Sequence, residues 1–206
     1  AFARAAPAQG GGALPPIPQV DFSRFGEVEA RPEGRVRRLT AKSVTQSWLN
    51  APMVTHHDEA DITDLDAFRR RHDPEARERG FKLSYLPFLV RACAAALQRF
   101  ERFNASLDPS GERLIFKKYV NIGVAVDTPE GLVVPVVRGA DDKGLFALAE
   151  EIDALAARAR AGEARLDDFV GGNFTISSLG GIGGTAFTPI INAPEVAILG
   201  VSRAAT

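Results

Sequence analysis

The side chains in this sequence that could do chemistry are few. Ser177 and Ser178 close a β-type run, Phe174-Thr175-Ile176, and lead into the glycine-rich stretch Gly180-Gly181-Ile182-Gly183-Gly184. A hydroxyl at a strand end can face a cleft instead of the core, and there it can donate to an oxyanion that forms during acyl transfer. Adjacent strand residues point in opposite directions, so only one of the two hydroxyls can serve a given cleft. The glycine stretch does not fit a phosphate cradle, because no Lys-Ser/Thr follows it and no G-x-G-x-x-G opens a helix; it reads as a tight chain reversal.

The other candidates are weaker. His56 and His57 are adjacent, and on a strand they would point to opposite faces, where they could neither chelate one metal nor act together. His72 lies in Arg69-Arg70-Arg71-His72-Asp73, a stretch that reads as solvated helix surface from which Arg69 could reach a ligand phosphate. The single cysteine, Cys93, falls on the apolar face of a helical pattern, where a thiol is core filler and nothing lowers its pKa. No Cys/His cluster has metal-ligand spacing, so no metal is expected.

Bulk composition narrows the function further. The 206 residues suffice for one domain with a substantial core, and 45% hydrophobic with 25% charged residues are globular values. Lys plus Arg number 25 against 26 for Asp plus Glu, so there is no net field to hold a nucleic acid or an anionic membrane. No apolar run reaches the length of a membrane span, and the first residues lack a signal-peptide segment. A lone cysteine fits a reducing cytoplasm.

The elements that must position these side chains follow from periodicity. Residues 1–19, rich in Ala, Pro and Gly, read as a linker and N-terminal arm, and 20–206 as the folded domain. Leu39, Val44 and Trp48 share a helical face within 35–50, stopped by Pro52. Thr63 with Asp66 resembles a capping box opening a second helix. Ser84 caps a third, with Leu86, Leu89, Val90, Cys93, Leu97 and Phe100 at three-four spacing. Residues 119–127 and 133–137 alternate like strands around Thr128-Pro129-Glu130-Gly131, which reads as a β-hairpin. Leu145, Leu148, Ile152 and Leu155 restore helical spacing after Asp141 and Asp142, and Gly162 ends that helix. Residues 173–178 and 195–201 are β-type.

Several of these stretches, taken in order, resemble a known family. Phe174-Thr175-Ile176-Ser177-Ser178-Leu179-Gly180, running through Gly183-Gly184 to Thr188-Pro189-Ile190-Ile191-Asn192-Ala193-Pro194-Glu195-Val196-Ala197-Ile198-Leu199-Gly200, resembles the signature of the dihydrolipoamide acyltransferases. Upstream, in the family's order, stand Ser47-Trp48-Leu49, Glu59-Ala60-Asp61-Ile62-Thr63, Leu86-Pro87-Phe88-Leu89, Phe103-Asn104-Ala105-Ser106-Leu107 and Gly123-Val124-Ala125-Val126-Asp127-Thr128-Pro129-Glu130-Gly131-Leu132. The resemblance covers about residues 16–204. The Ser-Ser-Leu-Gly form is similar to the acetyl-transferring members of bacterial pyruvate dehydrogenase complexes rather than to the succinyl-transferring ones.

The resemblance implies an α/β (α+β) fold like that of chloramphenicol acetyltransferase, a mixed sheet flanked by helices. It also implies a homotrimer with active sites between subunits, and trimers that assemble into a cage. The implied chemistry moves an acetyl group between a dihydrolipoamide arm and coenzyme A, with a histidine as base; the lipoyl group would come from an upstream domain. Partners implied are the lipoyl domain, the 2-oxo acid decarboxylase and the dihydrolipoamide dehydrogenase, with no nucleic acid and no membrane. Ser177 matches the family's oxyanion donor. Arg35 matches an arginine that pairs with the aspartate following the histidine, and Arg69 and Asp127 are assigned to cofactor binding.

One departure stands out. The family's histidine lies in an H-x-x-x-D-G motif some tens of residues after the Pro-Glu-Val-Ala-Ile strand, and the sequence ends at Thr206. A truncated chain, a shortened assembly module and a natural non-catalytic cage subunit all account for this; the match of everything retained to active members favours truncation. A serine hydrolase built on Ser177 is disfavoured, because the nucleophile-elbow pattern G-x-S-x-G is absent.

Overall fold

A computed structural model describes residues 18–204, and the chain divides after Pro32 into two units. Most of the expected linker over 1–19 lies outside the described residues. In the first unit, a single turn of 3-10 helix over Phe22–Arg24 is capped by Asp21, whose carboxylate accepts from the Ser23 backbone N–H at 3.1 Å.

The second unit opens with α1 (Arg35–Asn50), which spans the range read from sequence. Next comes α2 (Thr63–Glu78), but its start is organised differently from the expected capping box. Asp61 accepts from the backbone N–H and the hydroxyl of Thr63, at 2.9 and 2.7 Å, so the capping carboxylate stands before the helix instead of three residues inside it. α3 (Leu86–Arg99) begins one residue later than Ser84 implied; Ser84 still contributes, its hydroxyl accepting from the Leu86 N–H at 3.3 Å.

Two short strands then pair antiparallel, β1 (Ala105–Leu107) and β2 (Leu114–Phe116). β3 (Ile122–Val124), β4 (Val126–Thr128), β5 (Gly131–Val133) and β6 (Val136–Val137) occupy the expected hairpin. The hairpin is split into two ladders, β4 with β5 and β3 with β6. Pro135 lacks the N–H that would continue the pairing, and the Ala125 N–H turns away to donate to the carbonyl of Ile176 at 2.9 Å. α4 (Leu145–Ala161) ends on Gly162, in the left-handed conformation at φ 72°. β7 (Phe174–Ser178) and β8 (Ile198–Val201) complete the set.

The main sheet has the order β6-β3-β7-β8 and is mixed: β6 runs antiparallel to β3, while β3, β7 and β8 are parallel. The core gathers Val90, Ala94 and Leu97 of α3, Leu148, Ile152 and Leu155 of α4, and Ile122, Val124, Val137 and Ile176 of the sheet. The expected mixed sheet flanked by helices is therefore present. The glycine stretch does turn, the N–H groups of Ile182 and Gly183 both donating to the carbonyl of Leu179 at 2.9 Å. It is not a hairpin reversal, however, because a parallel neighbour cannot be reached by a short turn; residues 185–197 carry the chain back to the start of β8.

Candidate active site

Ser177 lies near the end of β7, an inner strand whose ladder to β3 runs as far as Ile176, and Ser177 itself pairs with Gly200 of β8. Side chains alternate along the strand: Ile176 enters the helix-covered core, while Thr175 and Ser177 face the other way. Ser177 is half-buried, and among the described residues its hydroxyl has no hydrogen-bond partner. Ser178 is exposed, and its oxygen accepts from the Gly180 N–H at 3.5 Å. The two hydroxyls thus differ as alternation requires, one occupied by the turn and the other left over.

The ground beside Ser177 is kept clear by a glycine. Gly200 is its partner on β8, and a Cβ there would lie 2.9 Å from Cζ of Phe187 and 3.1 Å from the Pro189 ring. Paired residues of parallel strands present the same face, so Phe187 and Pro189 cover the side of the sheet on which the Ser177 hydroxyl stands. Gly123 does the same one strand over, where a Cβ would meet Val134 at 2.7 Å and the Thr175 hydroxyl at 2.9 Å.

The remaining residues singled out from sequence are scattered. Arg35 is exposed at the first position of α1, and Asp127 is exposed on β4 opposite Leu132. The N-terminal turn of α1 abuts the β4–β5 turn, since a Cβ on Gly131 would lie 3.1 Å from the Arg37 side chain. Arg69 belongs to a different cluster. Its guanidinium meets Asp66 at 2.7 and 2.9 Å and lies over the Tyr85 ring at 4.9 Å, and the Tyr85 hydroxyl donates to the same carboxylate oxygen at 2.6 Å. These contacts, Tyr85 first, hold Asp66 below the usual carboxylate range.

His56 and His57 are on the surface but not on a strand, and His72 is more buried than a solvated surface would leave it. His56 and His57 are exposed in the irregular stretch between α1 and α2. His72 is half-buried, stacked on Phe68 at 4.3 Å and edge-on to Phe146 at 6.4 Å, so the α2 face read as solvated carries an aromatic cluster. Cys93 fits its reading as core filler: burial pushes its thiol up to about 11. Among the described residues no group of His, Cys, Asp and Glu could hold a metal, and no helix is long and apolar enough to cross a membrane.

Sequence reading passed over Glu195. Its side chain is buried at 6% exposure against Thr175 of β7, and burial pushes its carboxyl up to about 7. One carboxylate oxygen takes a long contact of 3.4 Å from Asn192, and the other has no partner. Nearby, Lys117 donates to the Ser106 hydroxyl, which donates in turn to the Pro194 carbonyl, both at 2.5 Å. Burial lowers the Lys117 pKa. In the sequence, Glu195 is one acid in an otherwise apolar run, and period-two patterning carries no signal for a charge turned inward.

Comparison with known proteins adds to this geometry. The family model for the 2-oxoacid dehydrogenases acyltransferase (catalytic domain) matches residues 25–206. The chain is 55% identical over 197 residues to the dihydrolipoyllysine-residue acetyltransferase component of the pyruvate dehydrogenase complex of Pseudomonas aeruginosa, covering 96% of this chain and 36% of that one. The corresponding Cupriavidus necator protein is 51% identical over 207 residues, covering 97% and 37%. The chain thus spans little more than a third of these relatives' length. Among solved structures, the dihydrolipoamide acetyltransferase of Azotobacter vinelandii superposes with a TM-score of 0.92 at 55% identity, over 93% of this chain and 79% of that one. The cubic core of a pyruvate dehydrogenase multienzyme complex gives 0.91 at the same identity and coverage. A sheet of this topology, a free serine at the end of its inner strand and a match over residues 25–206 lead to one assignment: the chain belongs to the 2-oxoacid dehydrogenase acyltransferase family, within its catalytic domain.

Proposed function

We propose that the protein carrying this chain transfers an acetyl group between dihydrolipoamide and coenzyme A, and that the chain builds the core of a pyruvate dehydrogenase complex. The observation that carries the reading is the Ser177 hydroxyl, which has no hydrogen-bond partner among the described residues, on an inner strand beside Gly200, where a Cβ would crowd Phe187 and Pro189. In each direction one substrate is a thiol and the other a thioester. A thiol with a pKa near 8.5 is mostly protonated at neutral pH, so a base must take its proton as sulfur attacks the thioester carbon. The new carbon–sulfur bond forms, the carbonyl oxygen becomes an oxyanion that accepts from Ser177, and the old carbon–sulfur bond then breaks. The proton passes from the base to the departing thiolate. Ser177 is assigned to the oxyanion, and the base to the family's H-x-x-x-D-G histidine.

Arg35 is assigned to the aspartate that follows that histidine; exposed at the start of α1, it is free to meet a carboxylate. Asp127 is placed as an acceptor for donor groups of coenzyme A, and Arg69 as a ligand for its phosphates, a role that requires it to leave Asp66. The lipoyl group would arrive on an upstream domain, with the 2-oxo acid decarboxylase and dihydrolipoamide dehydrogenase as further partners of a cytoplasmic complex. Homotrimers joined into a cage are supported by apolar side chains that α1 leaves exposed, Leu39, Trp48 and Leu49. Those side chains equally favour a second reading, a cage subunit without catalysis.

The deciding measurement is steady-state transfer from acetyl-CoA to dihydrolipoamide by the full-length protein. Ser177→Ala is expected to lower kcat by about 10²- to 10³-fold with little change in coenzyme A affinity, as when a donor acts in the transition state. Ser178→Ala should do much less. Near-full kcat in Ser177→Ala, or an exchange of effects between the serines, sinks the assignment, and no turnover in the unaltered protein favours the non-catalytic subunit.

A further inference from the structure

Beside Ser177, around Thr175, lies a group of buried polar atoms that acyl transfer, as derived above, does not use. Thr175, two residues before Ser177 and on the same face, is 1% exposed, and its hydroxyl makes no hydrogen bond of acceptable geometry. The carboxyl of Glu195 lies alongside that hydroxyl, with one oxygen also unpartnered. A Cβ on Gly172, just before β7, would stand 3.2 Å from the other oxygen. Unpaired buried polar atoms are destabilising, and a hydroxyl donor beside a carboxyl acceptor marks a contact that a small shift of either segment can close. Glu195 also ends the segment that leads into β8: the Ala193 N–H donates to Ser47 at 3.2 Å, the Pro194 carbonyl accepts from Ser106, and β8 begins at Ile198.

We propose that Glu195 is a positioning residue for acyl transfer, whose buried carboxyl braces the Thr175 side chain and so sets where β7 and β8 hold the Ser177 hydroxyl. The proposal rests on the assignment of Ser177 to the oxyanion.

The brace has two states. In either state the Thr175 hydroxyl can donate to the carboxyl and hold β7 to the 192–195 turn, a contact that favours the ionised form; with its proton, Glu195 is neutral and leaves Lys117 on Ser106. Without it, a negative charge stands in the interior. Lys117, on the segment after β2, is the cation that acts on it; Thr175 of β7 and Asn192 of its own turn are the polar groups that face it. Attraction to the new charge draws Lys117 off Ser106, and Ser106 holds the Pro194 carbonyl. The segment that starts β8 then loses a tie, and β8 carries Gly200, the neighbour of Ser177. Burial raises the carboxyl to about 7, so the two states exchange near neutrality.

The test uses the full-length assembled protein. Wild-type kcat is expected to fall above pH 7 by up to about tenfold at pH 8, the ratio of ionised to neutral carboxyl one unit above its midpoint. E195Q, which fixes the neutral form, should hold the acid-side kcat across that range, and T175V, which removes the contact but not the acid, should lower kcat at every pH. Hydrogen exchange by mass spectrometry, corrected for intrinsic rates, should show the 174–178 and 189–201 peptides losing protection between pH 6 and 8 in wild type but not in E195Q. An alkaline limb that persists in E195Q, or exchange that is the same at both pH values in wild type, overturns the proposal. Should Ser177→Ala remain active while exchange still follows Glu195, the oxyanion assignment fails and the brace stands.

Discussion

At the scale of single residues, the site is defined by what each group lacks. Gly200 has no side chain and, among the described residues, Ser177 lacks a hydrogen-bond partner and Glu195 a counter-charge in contact. The last has a thermodynamic consequence independent of catalysis. In the unfolded chain the carboxyl titrates near 4.5, and in the folded protein near 7. Between those values the folded state holds a proton that the unfolded state has released, so stability is full below pH 4.5, falls as pH rises toward 7 and then levels. A shift of that size corresponds to roughly 3 kcal/mol. Urea unfolding of wild type and Glu195→Gln from pH 4 to pH 8 should show the variant without this decline and more stable at pH 8; parallel curves would show that the carboxyl titrates normally. The strand-end pattern singled out Ser177 and Ser178 together, and the resemblance to the acyltransferase signature chose Ser177 between them. Glu195 was not legible, because burial of an acid depends on segments remote in sequence, here β7 and the 104–117 region.

Among the elements, helices were easier to read than strands, and the reason is length. α1, α3 and α4 repeat their apolar spacing over three or more turns, whereas β1 and β2 have three residues each and show no alternation to count. Leu114, Ile115 and Phe116 of β2 are all exposed, so no core-facing pattern exists. The hairpin at 119–137 was foreseen as one unit, and Pro135 together with the pull of β7 on Ala125 divides it. The parallel pairing of β7 with β8 brings an exacting local fit. Gly200→Ala would drive a methyl into Phe187 and Pro189, and overpacking of that kind costs about 1–3 kcal/mol. Thermal unfolding should register that loss and kcat should drop with it as β8 shifts beside Ser177, with partial recovery when Phe187 is shortened to Ala. A fully stable and active Gly200→Ala would mean that Phe187 and Pro189 yield freely.

Over the whole molecule, apolar side chains face outward as well as inward. Leu39, Trp48 and Leu49 of α1 are 57%, 61% and 52% exposed, more than a helix of an isolated subunit ordinarily leaves to water. Light scattering on the full-length protein should give a mass that is a multiple of three subunits, and Trp48→Glu should lower it; an unchanged mass in the variant would place the contact elsewhere.

The parallel course of β7 and β8 has a consequence for how the fold tolerates change. Their connection crosses from one end of the sheet to the other, and its glycine stretch projects Ile182 at 76% exposure. A break in the backbone there would leave β8 attached by its ladder to β7 and by the packing of Phe187 and Pro189 on Gly200, neither of which needs the covalent link. The domain could therefore be rebuilt from two polypeptides divided near residue 182, one bearing the serine and the other the strand that sits beside it. Evolution or engineering can lengthen this loop without disturbing the hydroxyl it follows.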